Sequence, residues 1–82
     1  MKAELTNKAK KQLARLPRNE QKKVVSKLRV IEAYPFSGKA LSGEYAGQYS
    51  FRAWPNRIIY LIDKKQKRAV IINIEHRQGA YK

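Results

Sequence analysis

The chain has 82 residues, 43% of them hydrophobic and 30% charged, a globular composition in a length that hides only about 60–65% of its extended surface and leaves no room for a large enclosed cavity. Nineteen Lys and Arg face six Asp and Glu, a formal net charge of +13, far above the roughly 2–8 charges of an ordinary small domain; repulsion on that scale points to a polyanionic partner. With no cysteine and one His, disulfides, thiolate nucleophiles and sulfur-bound zinc are excluded, and neither metal nor cofactor is expected.

Met1-Lys2-Ala3-Glu4 leads into no signal-peptide core, so a cytoplasmic location away from membranes is expected. Lys2 to Leu5 can form an edge strand. Thr6 is a plausible N-cap for a helix over Asn7 to Leu16, with Ala9, Leu13 and Leu16 on one face and Pro17 as its stop. Asn19 can cap a second helix whose stripe is Val24, Val25, Leu28 and Ile31, ended by Pro35. Phe36 to Gly47, rich in Gly and Ser, reads as an irregular loop. Gln48 to Ala53 alternates, with Tyr49, Phe51 and Ala53 on one face and Gln48, Ser50 and Arg52 on the other. After a turn at Trp54-Pro55-Asn56, Arg57 to Asp63 is apolar on both faces and therefore central; its run Ile58 to Ile62 is the longest apolar stretch, far short of the roughly 20 residues of a membrane helix. Lys64 to Lys67 turns the chain into a last strand, Arg68 to Glu75. The expected fold is α+β in a single domain over residues 1–82, ordered β-α-α-β-β-β, with two N-terminal helices on one face of a small antiparallel sheet.

Hairpin geometry brings distant side chains together. A turn centred between Trp54 and Pro55 sets Arg52 opposite Arg57, and one centred between Lys65 and Gln66 returns Glu75, His76 and Arg77 to the same margin. Arg52, Arg57, His76 and Arg77 are therefore expected to converge. Like charges directly opposite cost about 0.2–1 kcal/mol each, a cost best tolerated where an anion is bound, and guanidinium suits bidentate contact with phosphate. A solvated rim is the plain alternative, and Arg57 can instead pair with Glu44 or Glu75. Tyr49, Phe51 and Tyr60 read as core; Trp54, in a turn beside two arginines, is the base-stacking candidate. Lys8, Lys11, Lys22 and Lys23 on the helices are expected to meet RNA backbone as flexible point charges.

Four segments carry a resemblance: Lys39-Ala40-Leu41-Ser42-Gly43, Tyr49-Ser50-Phe51-Arg52, Asn56-Arg57-Ile58-Ile59-Tyr60 and Ile74-Glu75-His76-Arg77-Gln78-Gly79-Ala80-Tyr81. Together they resemble the RelE branch of the RelE/ParE toxin superfamily, over essentially the whole chain. The resemblance implies the toxin of a type II toxin–antitoxin system: a ribosome-dependent endoribonuclease that enters the A site, contacts 16S rRNA, cleaves mRNA and is silenced by a cognate acidic antitoxin. It implies that Arg57 holds the scissile phosphate, that Arg77 is the family's C-terminal arginine, and that Tyr81 stacks on or orients a nucleotide. Arg52 stands where many members carry a basic residue. Ser50 departs from a lysine of the best-studied members, and the turn at Trp54-Pro55-Asn56 is shorter. The implied chemistry is attack of the ribose 2′-hydroxyl on the adjacent phosphorus, which needs no metal. His76 is a candidate to move the proton, imidazole being the side chain suited to proton transfer near neutral pH. Two readings stay open beside this one: a ParE-like toxin that poisons DNA gyrase without a nuclease site, and a nucleic-acid-binding module without catalysis.

Overall fold

The computed structural model describes residues 1–76. The elements follow as β1 (Lys2–Leu5), α1 (Asn7–Ala14), α2 (Arg18–Ala33), β2 (Lys39–Ala40), a 3-10 turn at Gly43–Tyr45, β3 (Gln48–Ala53), β4 (Asn56–Asp63) and β5 (Arg68–His76). The five strands form one sheet in the order β1-β5-β4-β3-β2, with β4 central as its two-sided apolar pattern requires.

The sheet is mixed, where an antiparallel one was expected: β1 runs parallel to β5, pairing Lys2 with Arg68 through Leu5 with Ile71. A tight hairpin forces antiparallel pairing only on the strands it joins, and β1 reaches β5 through everything between them. The remaining pairs are antiparallel. The loop over Phe36 to Gly47 also holds more order than its composition suggests, since β2 extends the sheet through Lys39 opposite Ser50 and Ala40 opposite Tyr49.

Thr6 caps α1 through its Oγ1, which accepts from the Ala9 N–H at 3.2 Å. The helix ends at Ala14, not Leu16. Its last carbonyls are met from outside, Gln21 Nε2 donating to the oxygens of Leu13 at 3.0 Å and Ala14 at 3.3 Å, which satisfies helix-end acceptors and sets the entry to α2. The cap of α2 is Pro17 rather than Asn19: the extended proline presents its carbonyl to the N–H groups of Glu20 and Gln21, both at 2.9 Å. Val24, Leu28 and Ile31 pack on the sheet as expected, but Val25 is exposed.

The core lies between the helices and one sheet face. Ala9, Val24, Leu28 and Ile31 meet Ala53, Ile58, Tyr60, Ala69, Ile71 and Ile74, with Tyr49 and Phe51 packed against them. Tyr60 is fully buried and stacks on Tyr49 with ring centroids 5.4 Å apart, so these aromatics are core. Its hydroxyl donates to the Pro35 carbonyl at 2.8 Å and accepts from the Gly38 N–H at 3.1 Å, and burial holds its pKa above the ordinary phenol value. A Cβ at Gly38 would lie 2.6 Å from that hydroxyl. The loop entering β2 is thus clamped to the sheet through a residue that has to be glycine.

One irregularity governs the site. Ile59 pairs with Asn73 while Tyr60 pairs with Ile71, leaving Ile72 as the extra residue of a β-bulge. Strict alternation from buried Ile71 would send Ile74 to the outer face. The bulge resets the phase, so that Ile74 is buried in the core and Asn73 and Glu75 face out.

Candidate active site

The face of the sheet opposite the helices is open and concave. Its floor is Gln48 and Ser50 of β3, Arg57 and Ile59 of β4, and Ile72, Asn73 and Glu75 of β5; Lys8 of α1 closes one side, and Leu41 and Tyr45 from the segment between β2 and β3 close the other. The groove measures about 490 Å³. Both walls depend on features already described: the Thr6 cap fixes where α1 presents Lys8, and the Tyr60 clamp fixes the segment bearing Leu41 and Tyr45. The Tyr45 phenol is held above its ordinary pKa, first by its hydrogen bond with Glu44 and then by that carboxylate's charge.

The two hairpin arginines meet at one end of this face. Arg52 and Arg57 are direct cross-strand partners, which for side chains on one face means Cβ atoms about 4.5–5.5 Å apart. Arg57 is also the direct partner of Glu75 on its other side. The adjoining Asn56 is 2% exposed and donates from Nδ2 to Glu20 Oε1 of α2 at 2.8 Å, pinning the start of β4 to the helix layer.

His76 is not on the groove face. It pairs with Asn56 and shares the alternation of Ile58 and Ile74, so it stands on the helix side, separated by the sheet from Arg52 and Arg57. Arg77 and Tyr81 lie outside the described residues. The RNA-contact candidates also divide. Lys8 belongs to the groove, whereas Lys22, Lys23 and Trp54 meet on the helix side in a second cleft with Ser26, Lys27 and Ala53. Trp54 is 50% exposed there, and Lys11 lines neither cleft.

Sequence reasoning missed Tyr45, Leu41, Gln48, Ile59 and Asn73 as groove residues, and it took Glu75 only as a partner for Arg57. A signal for Glu75 was present: it is one of six acids in a chain of net charge +13, two residues from an amide side chain on a strand. That carboxylate is held by a relay. Gln12 of α1 donates from Nε2 to Asn73 Oδ1 at 2.6 Å, Asn73 Nδ2 donates to Glu75 Oε1, and Gln12 Oε1 accepts from the Ile74 N–H at 2.7 Å. The arrangement can therefore hold an anion at the arginine pair and aim one carboxylate at the same place.

Comparison with known proteins adds family to fold. No curated protein sequence matches the chain. Among solved structures, the toxin–antitoxin complex RelBE2 from Mycobacterium tuberculosis matches with 31% identity and a TM-score of 0.85, covering 93% of this chain and 96% of that one. The YoeB/ParE toxin from Agrobacterium tumefaciens matches at 23% identity and TM-score 0.80, over 93% and 98% of the two chains. The archaeal RelE–RelB complex from Pyrococcus horikoshii matches at 21% and 0.74, over 93% of each. The model of the ParE toxin of type II toxin–antitoxin systems matches residues 3–81. The chain thus belongs to the ParE toxin family of type II toxin–antitoxin systems, within the RelE/ParE superfamily.

Proposed function

We propose that the protein is a RelE-like mRNA interferase, an endoribonuclease that cleaves mRNA in the ribosomal A site and stops translation. The observation that carries this reading is the direct pairing of Arg52 with Arg57 at the end of an open groove. Two guanidinium groups side by side can donate to one anion from two directions, and a scissile phosphate is such an anion. In this mechanism the ribose 2′-hydroxyl attacks the adjacent phosphorus, leaving a 2′,3′-cyclic phosphate and a 5′-hydroxyl. Arg57, with Arg77, neutralises the charge that develops on the phosphoryl oxygens, Arg52 donates a hydrogen bond to the leaving oxygen, and Tyr81 stacks on a nucleotide. Lys8 holds the message backbone in the groove; Lys11, Lys22, Lys23 and Trp54 engage RNA beyond it, 16S rRNA included. Few groups in the groove can move protons, which fits an enzyme that relies on the ribosome to orient its substrate.

The reading includes a partner. Two of the three matching structures described above are complexes of a toxin with its antitoxin, and a chain of net charge +13 suits a cognate acidic antitoxin that folds against it. The rival reading is gyrase poisoning, favoured by the ParE name of the matching family. One experiment separates the two: induce the protein, map message ends by primer extension, and score gyrase-linked DNA breaks. The proposal expects new message ends with intact DNA. DNA breaks without message cleavage overturn it, and message ends bearing a 3′-hydroxyl and a 5′-phosphate overturn the 2′-hydroxyl mechanism.

A further inference from the structure

The geometry points to Glu75 as the catalytic base of this site, with Asn73 and Gln12 as the residues that position it; the assignment rests on the cleavage reading above. Three observations carry it. Glu75 lines the groove beside Arg57 and is its direct cross-strand partner, so its carboxylate is within a side chain's reach of any phosphate held by Arg57. His76, the group that sequence spacing offers for proton transfer, is turned to the opposite side of the sheet by the bulge at Ile72. Finally, the Glu75 carboxylate is held from one oxygen by Asn73, and Asn73 is fixed in turn by Gln12 of α1, whose other amide atom is occupied by the Ile74 N–H. A carboxylate placed only to neutralise Arg57 needs no such support from another element. A base needs it, because proton transfer depends on a fixed distance to the hydroxyl.

The step balances without a cofactor. The 2′-hydroxyl gives its proton to a carboxylate oxygen of Glu75 as its own oxygen bonds to phosphorus; the bond from phosphorus to the 5′-oxygen breaks, and the leaving oxygen takes a proton from solvent water. Glu75 then returns its proton to solvent, so the reaction neither consumes nor releases one. Arg57 stabilises the phosphorane charge.

The test uses the full chain on programmed ribosomes, with single-turnover cleavage at saturating toxin. Glu75→Gln retains shape and the contact with Asn73 but cannot take the proton, and the expected result is a fall in cleavage rate of about 100-fold or more with ribosome binding no weaker than wild type. The wild-type rate should rise with pH along a limb set by the base and then level, and this limb should vanish in Glu75→Gln. Glu75→Asp, one methylene short, should retain the limb at a lower plateau. Asn73→Ala and Gln12→Ala should lower the rate while keeping the limb, the signature of a misplaced base rather than a missing one. Wild type and Glu75→Gln cleaving at the same rate overturns the assignment alone. Wild-type protein that leaves ribosome-bound message whole overturns the cleavage reading and, with it, the assignment.

Discussion

Arginines stand at both ends of the open sheet face, in opposite surroundings. Where β1, β4 and β5 meet, Arg68 donates to Glu4 at 2.7 Å and to Asp63 at 3.3 Å, two carboxylates for one guanidinium, and these partners raise its already high pKa. Where β3, β4 and β5 meet, Arg52 and Arg57 face one another and Glu75 is the cross-strand neighbour of Arg57 on β5. The first end is electrostatically complete within the chain. At the second, two guanidinium groups sit side by side on neighbouring strands, a pair that can grip one phosphate from two sides. A patch suited to an anion is recognised by how its guanidinium groups are placed relative to one another, more than by the number of its basic residues.

The largest test of this contrast removes a guanidinium from the open end. Arg57→Ala should lower message cleavage by at least about 100-fold and relieve growth inhibition, with the fold kept as judged by circular dichroism; Arg77→Ala should act in the same direction. Full toxicity of either variant at equal expression would break the phosphate assignment. Next in size is salt. If Lys8, the arginines and the lysines of α2 each neutralise a phosphate, the log–log slope of RNA affinity against salt should reach a magnitude of about 3 or more, each contact contributing about 0.7–0.9. A flat response would detach the +13 charge from RNA altogether.

Smaller effects should come from the supports. Tyr60→Phe leaves the Pro35 carbonyl and the Gly38 N–H without their shared partner, and should cost about 1–3 kcal/mol in urea unfolding while both arginine ends stay intact. Smallest of all is Arg68→Ala, since its ion pairs lie at the surface: a slight fall in thermal midpoint and unchanged cleavage are expected. Loss of cleavage in Arg68→Ala with normal stability would erase the distinction between the two ends.

Much of this was legible in the sequence, for reasons of geometry. Two short hairpins have turn centres that can be counted, and counting places Arg52 against Arg57, as found. The central place of β4, the Thr6 cap and the apolar stripe at Val24, Leu28 and Ile31 follow from period and capping chemistry. What escaped were features without a periodic signature. A bulge is a single extra residue, and nothing in Arg68 to Glu75 marks Ile72 as that residue; its effect is to exchange His76 for Glu75 on the groove face. The direction of β1 escaped because its partner is distant in sequence. Tyr45 and Leu41 escaped because they arrive from a loop whose path is set by a hydroxyl on β4, a contact between residues far apart in the chain.

Gln12 bears on one more property of the molecule. Beyond its pairing with β1, the outer edge of β5 is a template to which a foreign strand can add, and sheets with such edges associate into larger aggregates. Here the Ile74 N–H is already taken by the Gln12 side chain and the Ile71 carbonyl by the Thr6 N–H. At the other margin β2 offers only two residues, too short to seed an intermolecular ladder. The side chain that steadies the groove thus also shields the sheet against uncontrolled self-association.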